Sequence, residues 1–494
     1  MLFNSLEYLF FFIAVFLIFW FLLGKHRKLQ NIFLLIANYF FYSWWDWRFL
    51  SLIILVSAVN FYSGIQIGKT DPGNPGPKRK IFLIVCIVIN LGLLSLFKYF
   101  NFFAQSTTDL LNSIGFKADT ITLDFILPIG ISFYTFQTLS YTIDVYRTKI
   151  EPSKDIISFF TYASFFPVIL AGPIERAENL LVQFSKKREF KYEQAVHGLQ
   201  LIFWGLFKKV VIADRLAILV DQIYGNPHSY SGVPLIIATY FYAFQIYCDF
   251  SGYSDIAIGS GKLLGFNLMT NFRTPYYSKD TAEFWRRWHI SLSTWLRDYL
   301  FMPLNIQFRN LRQWGVAISL FFTFVLCGLW HGANWTFIVW GAIHGFYLIT
   351  GLWFKGIVDK FYNFFGLKEN SKGRNLINLL WTFHLILFAW IFFRANSLSD
   401  AFYILNNIFS VTLSGITDVL KGTVELGLKR YDLLIALVSI ILMETVHIIQ
   451  RKKEIRKILL SKSPVIRWGL YISAVFIILL FGVFHLKEFI YFQF

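Results

Sequence analysis

The sequence predicts an all-α polytopic membrane protein with about eleven to thirteen transmembrane helices, supplemented by re-entrant and amphipathic interfacial helices. Three observations carry this expectation. Of 494 residues, 56% are apolar and 15% are charged, whereas an ordinary soluble domain carries about 25% charge. The mean hydropathy is +0.54. The apolar residues also gather into runs near the roughly 20 residues a helix needs to cross a bilayer. Runs this long and this evenly spread argue against several soluble cores.

Taken in order, the runs lie near 6–23, 31–45, 49–68, 81–98, 125–145, 194–214, 234–252, 315–331, 334–354, 375–393, 432–450 and 467–485. The first is followed by Lys25, His26, Arg27 and Lys28 without a small-residue cleavage site, so it reads as a retained helix. Lysine and arginine outnumber acidic residues by 46 to 29, for a net charge of +17. In a membrane protein such an excess reports topology, because cytoplasmic loops hold the positive charge. No nucleic-acid motif accompanies it, and nucleic acid is not expected as a partner. The basic loops 24–30, 69–80, 146–154, 253–314, 355–374 and 451–466 share one side if the N-terminus is outside. A crossing at 155–172 would invert the later loops, so a re-entrant segment buried in protein is expected there.

The whole chain, 1–494, reads as one integral membrane domain in a bilayer. Within it lie a motif-bearing core at 100–350, a cytoplasmic amphipathic segment at 253–314 and C-terminal helices at 351–494. A Pro/Gly linker is expected at 69–80 and a long external loop at 394–431. Cys86, Cys248 and Cys327 lie in apolar surroundings without CxxC spacing. They read as packing residues, and no metal site is expected.

Four constellations stand out. In the first, Asp124 to Tyr141, Pro128 and Gly130 interrupt an apolar run that carries Gln137 and Tyr141. It is either a kink satisfied by neighbouring helices or a substrate-contacting surface. The second, Phe165 to Arg176, holds two prolines and a glycine and must turn. Glu175 and Arg176 either pair or shape a cytosolic opening. The third, Gln245 to Asp255, begins inside a helix and runs out of it, carrying Asp249, Ser251 and Tyr253. Two carboxylates beside an apolar helix each cost roughly 2.5–3.5 kcal/mol, so Asp249 and Asp255 should face protein or water. The cations on the segment that follows are Arg273, Arg286, Arg287 and Arg297. A structural ion pair and a catalytic role are both open.

That following segment, Phe284 to Leu300, places Trp285, Trp288, Leu292 and Tyr299 at helical spacing and Arg286, Ser293 and Arg297 on another face. It reads as an amphipathic helix at the cytoplasmic interface, with His289 in the buried stripe. Arg286 and Arg287 suit either lipid headgroups or the phosphates of a carrier. The fourth constellation runs from Cys327 through Trp330, His331, Gly332 and Asn334 to Trp335, continuing to Trp340, Gly341 and His344. The apolar stretch is barely enough for two crossings, so WHGANW is a tight hairpin or a break. An intramembrane ionisable group is a functional hypothesis by default, and neutral imidazole is the usual general base near neutral pH. His331 is therefore the leading candidate, and His344 reads as structural.

The ordered runs LPIGISFYTFQTLSY, AGPIER, YCDFSGYSDIAIG, FWRRWHISLSTWLRDYLF and GLWHGANW resemble the membrane-bound O-acyltransferase (MBOAT) family. They are most similar to its bacterial alginate O-acetyltransferase branch, and the likeness covers roughly residues 1–350. It implies the MBOAT fold in a multi-pass protein of the bacterial inner membrane. The implied activity is O-acyl transfer, most simply of acetyl, from a cytosolic thioester to a hydroxyl of an extracytoplasmic polysaccharide or of a partner transferase. No cofactor is expected to stay bound, and the donor would be acetyl-CoA or a carrier-protein thioester. The family's WHG histidine falls on His331 and its second position on His289. Trp330, Asn334, Asp249, Ser251, Tyr253, Trp285, Arg286 and Arg287 are the candidate substrate contacts, Asn334 and the Trp330 indole N–H among the possible oxyanion donors. The branch also implies a periplasmic esterase-like acetyltransferase as partner. D-alanyl transfer to teichoic acid, and a transporter or flippase for an acylated substrate, are the competing readings.

Overall fold

The computed structural model describes every residue except 72, 74, 75, 423, 425, 485–488, 493 and 494. Parts of the 69–80 linker, of the 394–431 loop and of the C-terminal helices, and the last position of the 467–485 run, thus lie outside the described residues. The described chain is helical throughout, without a strand. Among the described residues, eight helices are long and apolar enough to cross a membrane, from Trp47–Gly68 to Pro464–Phe481, and each coincides with one of the twelve apolar runs. Of the other four runs, 6–23 forms the shorter apolar helix Leu6–Leu22. The remaining three form Arg27–Ser43, Ile131–Tyr146 and Tyr192–Leu206, which carry more polar side chains. On Pro464–Phe481, Val465 and Leu480 are exposed, as side chains bathed by lipid must be.

The chain divides into two compact units. The first comprises Met1–Ile202 and Ser254–Met269. Its Ile156–Ser164 and Phe166–Ile169 helices, separated by the non-helical Phe165, form the buried segment expected at 155–172. Asp155 starts the segment by accepting from the Ile157 and Ser158 N–H groups at 3.1 and 3.2 Å. The break at Phe165 would strand backbone groups, and Arg27–Ser43 supplies their partners. Asn38 accepts from Phe166 N–H at 3.0 Å and donates to the Thr161 carbonyl at 3.2 Å. Gln137 donates to the Tyr162 carbonyl at 2.7 Å, and the Tyr141 hydroxyl accepts from Ser153 N–H at 2.9 Å. Gln137 and Tyr141 thus serve to pin this segment.

One expectation is corrected in this unit. The 125–145 run is not an interrupted membrane helix: regular helix begins at Ile131, after Gly130 at φ 76°. Pro128 brings no N–H, and a side chain at Gly130 would collide with the Ile169 carbonyl as well as strain the left-handed backbone. At Glu175, the carboxylate accepts from Met269 N–H at 2.5 Å and from the Asn179 amide at 2.6 Å, and the Arg176 charge acts on it as well. Burial outweighs these donors and pushes the Glu175 carboxyl up to about 7. A raised carboxyl stabilises the fold fully below the ordinary value of 4.5 and loses that contribution as pH rises through 7. Glu175→Gln should therefore gain thermal stability relative to wild type between pH 5 and 8. Melting of the detergent-solubilised proteins at each pH checks the sign.

The second unit comprises Phe203–Tyr253 and Thr270–Phe494. Tyr192–Leu206 passes into a π-helical stretch, Phe207–Ala213, before resuming as Asp214–Gly225. Val233–Leu263 is one unbroken helix of 31 residues. The helix carrying Asp249 therefore does not end near Gly252, and the non-helical stretch after it begins only at 264.

The supposed single amphipathic helix at 284–300 is two short ones, Thr281–Arg287 and Ile290–Leu296. Between them Trp288 is extended and His289 is left-handed at φ 42°. The break has a cause: Arg273 N–H donates to the Arg287 carbonyl and Ile290 N–H to the Asn271 carbonyl, both at 2.9 Å, so backbone groups leave the helical ladder for 271–273. Trp285, Trp288, Leu292 and Trp295 are buried in protein rather than spread on the bilayer surface. WHGANW is a tight hairpin between Gln313–His331 and Trp335–Trp353. The 394–431 loop contains the helices Leu398–Asn407 and Leu413–Lys421.

Candidate active site

His331 is the last residue of its helix, because Gly332 turns extended and the Asn334 side chain starts the next helix by accepting from Thr336 N–H at 2.9 Å. The Asn334 amide donates to the Asn396 carbonyl at 3.2 Å. Asn334 is thus engaged in shaping the hairpin that presents His331. The His331 imidazole is buried, with ring centroids of Trp330 and Trp340 at 5.0 Å, Phe393 at 5.3 Å, Tyr491 at 5.4 Å and His289 at 6.5 Å. The hairpin closes this tightly because Gly328 and Gly341 face each other: a Cβ on either would strike a carbonyl of the opposite helix, Phe337 or Phe324.

His289 reaches the same cluster because of the helix break. Its Nδ1 lies 3.2 Å from Asn271 Oδ1, which also accepts from Ser291 N–H at 3.2 Å and Ser291 Oγ at 2.9 Å. An oxygen serving as common acceptor requires Nδ1 to carry the proton, which makes Nε2 the basic nitrogen. Burial pushes His289 down to about 3, so the ring is neutral at physiological pH. Asparagine tolerates left-handed backbone and could donate to the same oxygen. His289→Asn should therefore fold, whereas His289→Leu removes one hydrogen bond to an oxygen that keeps its Ser291 donors and should lose about 0.5–1.5 kcal/mol, measurable as a lower Tm.

Below these rings lies a buried charge cluster that composition alone concealed. Lys209 Nζ is 2.7 Å from Asp249 Oδ1 and 2.8 Å from Asp214 Oδ1, and it covers the Tyr253 ring at 5.3 Å. Lys208 Nζ donates to Ser251 Oγ at 2.9 Å and faces the Tyr247 ring at 5.7 Å. The counter-charge of Asp249 is therefore Lys209, not an arginine of the segment that follows. Tyr253 stacks on Phe489 at 4.6 Å. Trp285 donates its indole N–H to His344 Nδ1 at 3.2 Å and packs on Trp340 at 5.8 Å, which buries His344 as a packing residue.

His331, His289 and Trp330 therefore converge, with Trp285 joined to them through Trp340. Asp249, Ser251 and Tyr253 belong to the adjoining charge cluster. Arg286 and Arg287 stand apart: Arg286 is exposed 3.9 Å from Asp280, and Arg287 is held by Glu283 at 2.7 Å. Asn271, Lys209 and Tyr491 were not recognised in the sequence. The adjacent lysines 208 and 209 inside an apolar run were the available signal, since an intramembrane cation demands a partner. Among the described residues no group of His, Cys, Asp or Glu could hold a metal ion.

The model of the MBOAT, membrane-bound O-acyltransferase family, matches residues 148–397, which include both histidines. The chain is 40% identical to the Pseudomonas aeruginosa protein named "Probable alginate O-acetylase AlgI", over 83% of this chain and 75% of that one. It is 33% identical to a peptidoglycan O-acetyltransferase of Helicobacter pylori, over 84% and 81% of the two chains. A teichoic acid D-alanyltransferase of Streptococcus thermophilus is 28% identical, over 54% and 68%.

Proposed function

The chain belongs to the membrane-bound O-acyltransferase family, and from that premise we propose that it moves acetyl groups from a cytosolic thioester to hydroxyls of an extracytoplasmic polysaccharide in the bacterial inner membrane. The chain is an O-acyltransferase and a multi-pass membrane protein. Acetyl as the group and polysaccharide as the acceptor are supported by the O-acetylating relatives, which match over four-fifths of the chain, against 54% for the D-alanyltransferase.

The observation that carries the mechanism is the buried His331–His289 pair with ring centroids 6.5 Å apart. His331 takes the proton of the acceptor hydroxyl as its oxygen attacks the thioester carbonyl. The C–S bond then breaks, and the imidazolium returns the proton to the departing thiolate, so that an ester and a thiol are the products. A general base contributes about 10²–10⁴-fold, and positioning and electrostatic stabilisation supply the rest. Neutral His289, with Nε2 as its basic nitrogen, lies on the thioester side of this reading. Acetyl-CoA or a carrier-protein thioester serves as donor, and a periplasmic esterase-like acetyltransferase completes delivery to the polymer.

Vesicles reconstituted with the purified protein test the direction of transfer. Labelled acetyl-CoA is enclosed, and an acceptor oligosaccharide and the candidate partner are added outside. Label on the external acceptor is expected. Label that stays inside, or that transfers only when donor and acceptor share a compartment, overturns the transmembrane reading.

A further inference from the structure

We infer that Asp249 is a positioning residue that fastens the segment Phe489–Tyr491 against the reacting imidazoles. This rests on the assignment of His331 as the reacting base. The Asp249 carboxylate divides its two oxygens: Oδ1 meets Lys209 Nζ at 2.7 Å, and Oδ2 accepts from Ile490 N–H at 2.9 Å. Lys209 is held from its other side by Asp214 at 2.8 Å. A single buried acid thereby ties a fixed charge pair in the membrane helices to a backbone group 241 positions away.

The segment so held is clamped by aromatic rings on both flanks of Ile490. Phe489 is fully buried and stacks on Tyr253 at 4.6 Å, while Tyr491 lies 4.5 Å from Phe250. Phe250 in turn meets the His289 ring edge-on at 4.6 Å. Tyr491 closes the circuit, with its ring 5.4 Å from His331 and 6.5 Å from His289. Asp249 therefore touches neither imidazole and acts through Ile490. This explains why Asp249 is kept inside an apolar helix, where a carboxylate is costly unless paired and hydrogen-bonded.

The test compares Asp249→Asn, Asp249→Leu, a chain stopped before Phe489, and the double variant Asp249→Leu in the stopped chain. Two readouts are taken on the membrane proteins in detergent. The first is trimming by carboxypeptidase, followed by mass analysis of the intact chain. In wild type, where Asp249 holds Ile490 N–H, trimming should not pass Ile490. In Asp249→Leu it should pass Phe489. The second is acyl transfer. A displaced wall costs about 100-fold, so Asp249→Leu and the stopped chain should each lose about that much. Acting through the same segment, the two changes should be non-additive, with the double variant no worse than the stopped chain. Multiplying losses, or a tail that stays protected in Asp249→Leu, overturns the inference. Protection is read without any acyl transfer, so it survives failure of the acetylation reading. Asp249→Asn keeps the test decisive if the leucine variant does not fold: its one oxygen cannot serve both Lys209 and Ile490 N–H, so protection should weaken, and protection at the wild-type level also overturns the inference.

Discussion

Cells carrying His331→Ala should lose O-acetylation of their extracellular polysaccharide while keeping normal amounts of the protein in the membrane. The expectation follows from where the ring is held. His331 terminates a helix inside a shell of Trp330, Trp340, Phe393 and Tyr491, so no neighbouring solvent base can take over its proton. Alanine also leaves His289 in place but without its partner ring. Loss of a general base costs about 10²–10⁴-fold, which would bring acetylation below detection by mass analysis of the polymer. Unchanged acetyl content in the mutant would reject His331 as the reacting group. An unaltered melting temperature of the purified variant separates this result from misfolding.

Gly341→Ala is expected to damage both stability and activity without touching any polar group. A Cβ there meets the Phe324 carbonyl on the facing helix, with Gly328 N 3.1 Å away. Backbone on both sides cannot swing aside as a flexible side chain would. Forcing one extra methyl into such a contact costs typically 1–3 kcal/mol. It also pries apart the arms of the hairpin whose turn holds His331. A shift of about 1 Å at the reacting group costs about 100-fold in rate. The melting temperature and acyl transfer of Gly341→Ala should fall together. Gly356→Ala, at a position with nothing within 4 Å, should leave both near wild type. A fully active Gly341→Ala would show that the helices are not locked at this crossing.

Much of this architecture was legible because bilayer physics leaves few choices. Twenty apolar residues in a row have one stable outcome, and the buried 155–172 segment followed from charge placement alone. His331 stood out in the sequence for a related reason: an ionisable imidazole in an apolar run, with glycines on both sides, is a functional candidate by default, and the structure buries it among aromatic rings. What escaped was tertiary. Helical spacing at 284–300 gave no hint that Asn271 and Arg273 would draw off the backbone hydrogen bonds and turn His289 inward. The periodic tryptophans suited a bilayer surface and a protein interior equally well. Lys209 was hidden inside its apolar run, and Tyr491 lies 160 residues beyond His331, too far for any local pattern to link them. The 245–255 run was read as leaving a helix, yet Val233–Leu263 continues through it because tertiary packing outweighs the weak helix former Gly252.

The aromatic walls around His331 also decide what the enzyme refuses. A trapped water needs two to four polar partners, and ring faces provide few. On the proposed reading, an activated acyl group beside that imidazole is accordingly shielded from hydrolysis until an acceptor hydroxyl arrives.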